Sequence, residues 1–215
     1  MTDRHLVFVT GGTGYLGRPF IVELLRRSYR VRALVRPGSE SRVPTGAERV
    51  TGDALREESF APAIAPAETV VHLVGTPRPS PAKAAEFLRV DLASIRATVA
   101  AAAGRVRHLV YLSVAQPAPV MGAYIAARQE GESVVRSAGL PATILRPWYV
   151  LGPGHRWPLA LLPIYAVLRR LPSTRQGAER LGLVTLDQMV AALIRAVEHP
   201  PRGIRIVEVP EIRVR

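Results

Sequence analysis

Several residue types that carry chemistry are missing or scarce in this chain of 215 residues. It has no cysteine, which excludes disulfides, thiolate metal sites and cysteine nucleophiles. The five histidines are spread along the chain without ligand-like spacing, so the sequence predicts no metal site. No segment approaches the roughly 18 uninterrupted apolar residues of a membrane span, and the opening residues lack a signal-peptide pattern. We therefore expect a cytoplasmic protein whose redox chemistry, if it has any, depends on a bound cofactor.

Acidic residues are few relative to basic ones. The chain has 29 basic and 17 acidic residues and a formal net charge of +12, and Lys83 is its single lysine. A field of this sign attracts nucleic acids and anionic membranes. The arginines are scattered from Arg4 to Arg215, however, and no basic run is longer than a pair such as Arg26-Arg27. Coding bias toward arginine accounts for this pattern, so we expect no nucleic-acid partner and no membrane association.

Apolar, strand-like runs alternate with helical stretches along the chain. Residues 6–9 form a continuously apolar run, as burial on both faces of a sheet requires, and Ile21, Leu24 and Leu25 follow at helical spacing. This alternation predicts an α/β protein with a central parallel sheet covered on both faces by helices. The predicted strands are 6–9, 31–35, 48–51, 69–74, 109–112, 142–145 and 204–209. The clearest predicted helices are 82–103, 122–137 and 186–198, with Thr185 or Asp187 as the cap of the last one.

The most apolar segment outside the predicted sheet is 157–171, which ends in the basic pair Arg169-Arg170. An interfacial membrane helix has this composition. The internal Pro163 and the short length favour a helix over a substrate cleft, or a contact with a second copy of the chain or another protein. The helices 82–103 and 122–137 are rich in small residues and offer a second surface for a homodimer.

A glycine-rich turn follows the first predicted strand. Residues 10–17 read TGGTGYLG, and Gly12, Gly14 and Gly17 satisfy G-x-G-x-x-G. Because the turn follows an apolar strand and opens an amphipathic helix, it has the context of a dinucleotide site. The glycines let the backbone approach a pyrophosphate, and the amino end of the helix favours its negative charge. The cofactor-binding residues predicted in this turn are Gly11, Gly12, Thr13, Gly14, Tyr15 and Leu16.

The adenosine side of the predicted site lacks an expected carboxylate. About 20 residues after the glycine turn, where an acidic residue would hold a ribose hydroxyl, the second strand ends in Arg36. Because arginine forms charge-assisted bonds with phosphate, the sequence favours NADP(H), with NAD(H) remaining open. The alternative is an arginine that ends a strand at the surface. Asp53, followed by Ala54, is interpreted either as an acceptor for the adenine amine or as a turn residue.

The glycine turn and several later motifs together resemble the short-chain dehydrogenase/reductase superfamily, in its extended and atypical branches. The order of the motifs matches over almost the whole chain, with similarity to the epimerase/dehydratase type and to the NmrA-like and complex I accessory-subunit-like groups. The later motifs are Gly52-Asp53, Val71-His72-Leu73-Val74-Gly75, Ser113 at a strand end, Tyr124-x-x-x-Arg128 followed by Glu132, Leu145-Arg146-Pro147 and Thr185-Leu186-Asp187.

The resemblance implies a doubly wound Rossmann fold with a central parallel sheet and a small C-terminal substrate region. We accordingly expect a single domain over residues 1–215, in which residues 148–180 form a small substrate or lid region. It also implies cofactor contacts by Val74, Gly75 and Pro147. His155 falls in a loop that is expected near the nicotinamide, whereas His72 is expected to pack within its strand.

In active members of this superfamily a tyrosine transfers a proton at the carbonyl, a serine polarises the oxygen, and a lysine four residues after the tyrosine binds the nicotinamide ribose. Tyr124 and Ser113 match, but the third position is Arg128. Residues four apart share one helix face, and a guanidinium supplies the charge without reproducing the compact ammonium. A helical asparagine of the superfamily is also replaced, by Asp91. The resemblance implies that Tyr124, Ser113 and Arg128 are catalytic and that Tyr124 and Arg128 also contact the cofactor.

Two functions follow as hypotheses. The first is an NADP(H)-dependent oxidoreductase or epimerase/dehydratase-like protein acting on a small carbonyl or hydroxyl substrate, with Tyr124 as acid or base. The second is a non-catalytic NADP(H)-binding sensor or assembly subunit, in which Tyr124 is a ribose contact or a packed helix residue. The replacement of lysine by Arg128 favours the second hypothesis.

Overall fold

A computed structural model describes residues 5–154, 177 and 179–214 of the chain. The expectations for His155 and for the apolar segment 157–171 lie outside the described residues, as does most of the predicted 148–180 region.

Within the described ranges, seven parallel strands form the central sheet. They are β1 (Leu6–Thr10), β2 (Arg30–Val35), β3 (Glu48–Thr51), β4 (Thr69–His72), β5 (His108–Leu112), β6 (Ala142–Arg146) and β9 (Ile204–Glu208). Their order across the sheet is β3-β2-β1-β4-β5-β6-β9. This order reverses direction between β1 and β4, which is the switch point where open α/β sheets bind ligands at their carboxyl ends. The predicted doubly wound Rossmann architecture is confirmed.

The helices cover both faces of this sheet. Those in the described residues are α1 (Gly17–Arg26), α2 (Ala61–Ile64), α3 (a continuous run of Ala84–Glu86, Phe87–Leu92 and Ala93–Ala102), α4 (Gly122–Ser137), α5 (Leu186–Glu198) and α6 (Val209–Ile212). The sequence predicts α3 as one regular helix, but Phe87–Leu92 is a π-helical stretch. Helical periodicity gives no signal for such a local change in hydrogen bonding. Thr185 caps α5, and it forms a capping box with Gln188.

Strand alternation separates the core into two apolar layers. Val7 and Val9 point to one face, where they pack with the side chains of α1 and α5. Leu6 and Phe8 point to the other face, where residues such as Ile95 of α3 join them. All four of these β1 residues are buried, which is why the strand reads as continuously apolar in the sequence.

Two short strands form a second sheet that is separate from the central one. It consists of β7 (Tyr149–Leu151) and β8 (Leu183–Thr185), which run parallel with Tyr149 opposite Leu183. Near the C-terminus, the Arg213 guanidinium donates hydrogen bonds to the Leu183 carbonyl oxygen. Sequence analysis missed this sheet because each strand is three residues long and its partner is more than 30 residues away.

Candidate functional site

The glycine turn lies against the carboxyl end of β4. Gly11 has φ +74°, and a Cβ there would lie 2.7 Å from the Leu73 carbonyl carbon. The Gly14 amide donates to the Gly11 carbonyl oxygen at 3.0 Å. A Cβ on Gly17, the first residue of α1, would overlap the Gly11 carbonyl oxygen and lie 2.7 Å from the Gly12 Cα. The close approach of the turn to β4 and to the start of α1 therefore requires glycine at these positions.

This turn has the features that a phosphate group needs. Within the described part of the chain, no side chain caps the start of α1 at Leu16. The Arg18 amide donates to the Gly14 carbonyl oxygen at 3.2 Å and Pro19 has no amide hydrogen, so the helix amide that is available to an anion is that of Gly17. Gly14 is exposed, while Thr13, Tyr15 and Leu16 are half-buried in the same turn. The residues present therefore fit the diphosphate of a dinucleotide. The Tyr15 hydroxyl packs against Gly152 and so connects the turn to the segment after β7.

The adenosine side places Arg36 and Asp53 after two neighbouring strands. Arg36 follows β2, is exposed, and forms no ion pair with any residue that the structure describes. Asp53 follows β3, and its Oδ1 accepts a hydrogen bond from the Leu55 amide at 3.0 Å. Its own amide donates to Ser59 Oγ at 2.9 Å. Asp53 thus stabilises its own turn, as the turn interpretation predicts, next to the half-buried Ala54. Arg36 is a cation at the ligand edge of the sheet.

Arg128 of α4 is buried in the protein rather than exposed in the crevice at the carboxyl ends of the strands, where open α/β sheets bind ligands. Its side chain is 4% exposed, and its Nη2 lies 2.6 Å from Asp91 Oδ1. Its Nη1 donates to the Leu112 carbonyl oxygen at 2.7 Å. The guanidinium also lies over the Tyr124 ring, 5.3 Å from its centroid. The positive charge is therefore compensated on one side and adjoins an aromatic face on the other.

Asp91 is the buried carboxylate that pairs with Arg128. It belongs to the π-helical stretch of α3 and is fully buried. Its Oδ2 accepts hydrogen bonds from Thr76 Oγ1 at 2.6 Å and from the Thr76 amide at 3.0 Å. Thr76 directly follows Val74 and Gly75, which are half-buried beyond the end of β4. The sequence does not identify Thr76 as a site residue, although its position directly after the motif at residues 71–75 is a usable signal.

Tyr124 is the predicted catalytic residue that remains accessible. It is half-buried, and its ring packs against Phe87 with 5.0 Å between centroids. Its hydroxyl forms no hydrogen bond with any described residue. A half-buried phenol without an internal partner can exchange a proton with a bound molecule.

Ser113 has a different partner. It is 3% exposed, and its hydroxyl donates to Glu132 Oε1 at 2.6 Å. The same buried carboxylate accepts from Gln116 Nε2 at 2.8 Å and from the Arg146 guanidinium. Arg146 also pairs with Glu208 at 3.0 Å. The Ser113 hydroxyl thus belongs to a charged network that joins the end of β5 to α4 and β6. The predicted contact of Ser113 with a substrate oxygen stays a prediction.

His72 and Pro147 both lie inside the protein. The His72 Nδ1 is 3.0 Å from Thr10 Oγ1 and 2.9 Å from Thr98 Oγ1. Burial, assisted by the charge of Arg128, lowers the pKa of His72 to about 3, so the ring is neutral and packs within β4 as expected. Pro147 is buried, and its carbonyl oxygen accepts from the Ala115 amide at 2.8 Å.

Two further properties concern the described residues as a whole. Among them, no three histidine or acidic side chains come together in a way that could hold a metal ion. None of their helices combines the length and the apolar character that crossing a membrane requires.

Comparison with known proteins assigns the family. The model of the family described as NAD(P)H-binding matches residues 11–155. The ceramide reductase of Caulobacter vibrioides is 30% identical over 212 residues, which is 98% of this chain and 66% of that protein. A 3-diazoavenalumate denitrifying reductase from Streptomyces is also 30% identical, over 92% of this chain and 73% of its own length. The chain therefore spans about two thirds to three quarters of these two relatives.

Other similarities concern function and fold. The photosystem II assembly factor Ycf39 of Trieres chinensis is 29% identical over 65% of this chain and 44% of its own length. Among solved structures, the Bordetella bronchiseptica enzyme WbmH in complex with NAD⁺ superposes with a TM-score of 0.71 at 20% identity, over 95% of this chain and 75% of that one. The glycine turn, the sheet order and the family match lead to one conclusion: this chain belongs to the NAD(P)H-binding family.

Proposed function

We propose that this protein is an NADP(H)-dependent reductase of a carbonyl compound, with Tyr124 as the proton donor. The observation that carries the proposal is the state of Tyr124. Its phenol is half-buried and has no hydrogen-bond partner among the described residues, and the permanently charged Arg128 lies 5.3 Å from its ring. A proton donor at an active site needs this combination of access and nearby charge.

The preference for NADP(H) rests on Arg36. The turn containing Gly11 and Gly14 would hold the diphosphate, and Arg36 would form charge-assisted bonds with a 2′-phosphate. Because Arg36 is exposed and has no ion pair within the described ranges, binding the phosphate would not break an existing contact. When bound there, the coenzyme would supply the hydride that reduces a carbonyl carbon.

The residues of this chain complete the reaction around that hydride. The Tyr124 hydroxyl donates its proton to the carbonyl oxygen, which yields the alcohol and leaves a phenolate. The nearby Arg128 guanidinium stabilises that phenolate electrostatically. Because Tyr124 is half-exposed, solvent can return the proton. An additional role for Ser113 requires its hydroxyl to leave Glu132 and turn toward the substrate.

The replacement Tyr124→Phe tests this function. Turnover of a panel of ketones is followed through NADPH absorbance, and the panel includes ceramide-like carbonyl compounds because of the similarity to a ceramide reductase. We expect kcat to fall by about 10²- to 10⁴-fold, while NADPH still binds with an affinity within about threefold of wild type, since the phenyl ring preserves the packing on Phe87. Tyr29→Phe is the matched control, because Tyr29 is partly buried directly before the amino end of β2, away from the ligand edge, and it should keep wild-type turnover. Equal turnover by wild type and Tyr124→Phe would exclude Tyr124 as the donor.

A specific observation also favours a second function, a non-catalytic NADP(H)-binding assembly or sensor protein. Arg128 pairs with Asp91, and Ser113 is bonded to Glu132, so two of the three predicted catalytic side chains are engaged within the protein. The similarity to the assembly factor Ycf39 points in the same direction. Tight NADPH binding without turnover of any carbonyl by the wild-type protein would support this function and exclude the reductase.

A further inference from the structure

Two unusual residues of this chain contact each other. Asp91 and Arg128 occupy the positions where the superfamily resemblance leads one to expect asparagine and lysine, and their side chains form a buried ion pair at 2.6 Å. We propose that Asp91 is a positioning residue that acts through Arg128, and that the two residues work as one matched unit beside Tyr124. This inference rests on the proposed function of the same site.

The burial of the pair makes each member depend on the other. The Asp91 side chain is 0% exposed and that of Arg128 is 4% exposed. A buried charge without a partner is strongly unfavourable, whereas a buried pair with additional hydrogen bonds is tolerated. A charged Arg128 at this position therefore needs an anionic residue 91. The negative charge of Asp91 thus compensates the positive charge of Arg128.

Two protein groups fix the position of the guanidinium. Asp91 holds Nη2 and is itself held by Thr76, while the Leu112 carbonyl oxygen at the end of β5 accepts from Nη1. A Cβ on Gly75 would collide with Nη2, so the glycine provides the space that the larger arginine head requires. Both Nη atoms of Arg128 thus have protein partners. Arg128 acts on Tyr124 through its fixed charge.

The π-helical stretch of α3 provides both supports of Tyr124. Phe87 and Asp91 belong to this stretch and are fully buried. Phe87 packs against the Tyr124 ring, while Asp91 orients the guanidinium that lies over the same ring. Insertions of this kind redirect side chains and are frequent at functional sites. One local feature of the backbone therefore sets both contacts.

A double-mutant cycle tests the pair. The variants are Asp91→Asn, Arg128→Lys and the double replacement, and the dissociation constant of NADPH and the unfolding midpoint are measured for each. In Asp91→Asn the guanidinium loses its counter-charge, and in Arg128→Lys the ammonium is drawn toward Asp91. Because Tyr124 is a predicted contact of the cofactor, each single change should move the cation relative to the Tyr124 ring and weaken NADPH binding by about tenfold. The double variant should return to within about threefold of wild type.

The possible outcomes separate a positioning role from a structural one. Recovery of NADPH affinity in the double variant supports the proposal. Weakening equal to the product of the two single effects overturns it, and so does coupling that is seen in the unfolding midpoint but not in NADPH affinity. If the reductase function is wrong, no variant turns over carbonyl compounds. The NADPH dissociation constants of the four proteins still test whether Asp91 and Arg128 are coupled.

A milder change tests the same support without removing a charge. Thr76→Val deletes the hydroxyl that donates to Asp91 Oδ2, and Thr76→Ser keeps a hydroxyl there. NADPH binding should weaken by about threefold in Thr76→Val and stay at the wild-type level in Thr76→Ser. If Asp91→Asn does not fold, comparison of Thr76→Val with Thr76→Ser tests the positioning role of Asp91 instead. Equal affinities of Thr76→Val and wild type would then contradict the proposal.

Discussion

The two halves of the crevice at the carboxyl edge of the sheet differ in how they use their polar groups. In the half formed by β1, α1 and β2, backbone amides of the glycine turn and the exposed Arg36 are available to a ligand. In the half formed by β4, β5, α3 and α4, charged side chains pair with each other, as Arg128 does with Asp91 and Glu132 with Arg146. The first half is arranged for binding, and the second is held together by its own ion pairs.

This difference predicts which measured quantity, coenzyme affinity or the free energy of unfolding, a substitution in each half of the crevice should change. Changes in the first half should alter coenzyme affinity and leave the fold intact. Changes in the second half should alter the free energy of unfolding, because a buried charge that loses its partner is costly. Within this half, only changes at Asp91, Arg128 and Thr76 should also alter coenzyme affinity, because they act on Tyr124. Replacements that violate this division would show that the two halves are not distinct.

The largest expected effect lies in the second half, at Glu132. Glu132→Gln removes the buried carboxylate to which Ser113, Gln116 and Arg146 donate. We expect the free energy of unfolding to fall by about 3–5 kcal/mol, because Arg146 loses its most buried counter-charge. Urea denaturation measures this change.

The control for Glu132 is a residue on the same helix. Glu130→Gln removes an exposed carboxylate that pairs with Arg96 on the surface at 3.2 Å, and it should cost less than about 1 kcal/mol. If both replacements cost the same, the network around Glu132 does not stabilise the second half as described.

The next effect belongs to the glycine turn. In Gly11→Ala the new methyl group would lie 2.7 Å from the Leu73 carbonyl carbon at a φ of +74°, so the turn must shift. We expect NADPH affinity to fall by about 100-fold, since the amides that face the diphosphate move with the turn. Gly104→Ala is the matched control, because Gly104 has φ +68° and no described atom lies within 4 Å of the place that a methyl group would occupy. Its NADPH affinity should remain at the wild-type level.

The buried His72 predicts a pH dependence of stability. Its pKa is about 3 in the folded protein, compared with about 6.5 for an exposed histidine. Between these values the unfolded chain binds a proton that the folded protein does not bind, so stability falls as the pH drops below about 6.5. Between pH 7 and pH 5 this contribution amounts to about 2 kcal/mol.

His72→Gln, which has no group that titrates in this range, should lose correspondingly less stability on acidification, as measured by urea denaturation at the two pH values. Thr98→Val is the control, because it removes a hydrogen-bond partner of His72 and keeps the imidazole. It should lower stability by a similar amount at both pH values. A pH dependence of His72→Gln identical to that of wild type would contradict the assignment of a neutral buried ring.

The smallest expected effect distinguishes the two coenzymes. Arg36→Ala should weaken NADPH binding by about tenfold, the value of one charge-assisted hydrogen bond, and leave NADH binding unchanged. Arg30→Ala is the control, because Arg30 is exposed at the amino end of the same strand, away from the ligand edge. Parallel titrations with both coenzymes measure the preference. Equal weakening for NADPH and NADH would contradict a contact with the 2′-phosphate.

The sequence predicts the first half of the crevice better than the second, for a physical reason. The glycine turn is a local property of consecutive residues, and so are the limits of α4 and α5, which follow from helical periodicity and the Thr185 cap. The partners of Ser113 and Arg128 come from residues 19 and 37 positions away in the chain. Local patterns identify such side chains as important but do not show which group they contact.

The π-helical stretch and the small sheet also escape prediction. The residues of Phe87–Leu92 keep an ordinary helical composition, so only the backbone hydrogen bonds distinguish the stretch from the rest of α3. The β7 and β8 pairing joins two three-residue strands across a long separation in sequence. Both features depend on the folded context, and both adjoin the candidate site.

Isothermal titration of the wild-type protein with NADPH, and then with NADH, tests the central claim most directly. The account predicts one binding site per chain, tighter binding of NADPH than of NADH, and loss of that binding in Gly11→Ala. Absence of binding heat and of any thermal stabilisation with both coenzymes, in a protein that is folded by circular dichroism, would contradict it.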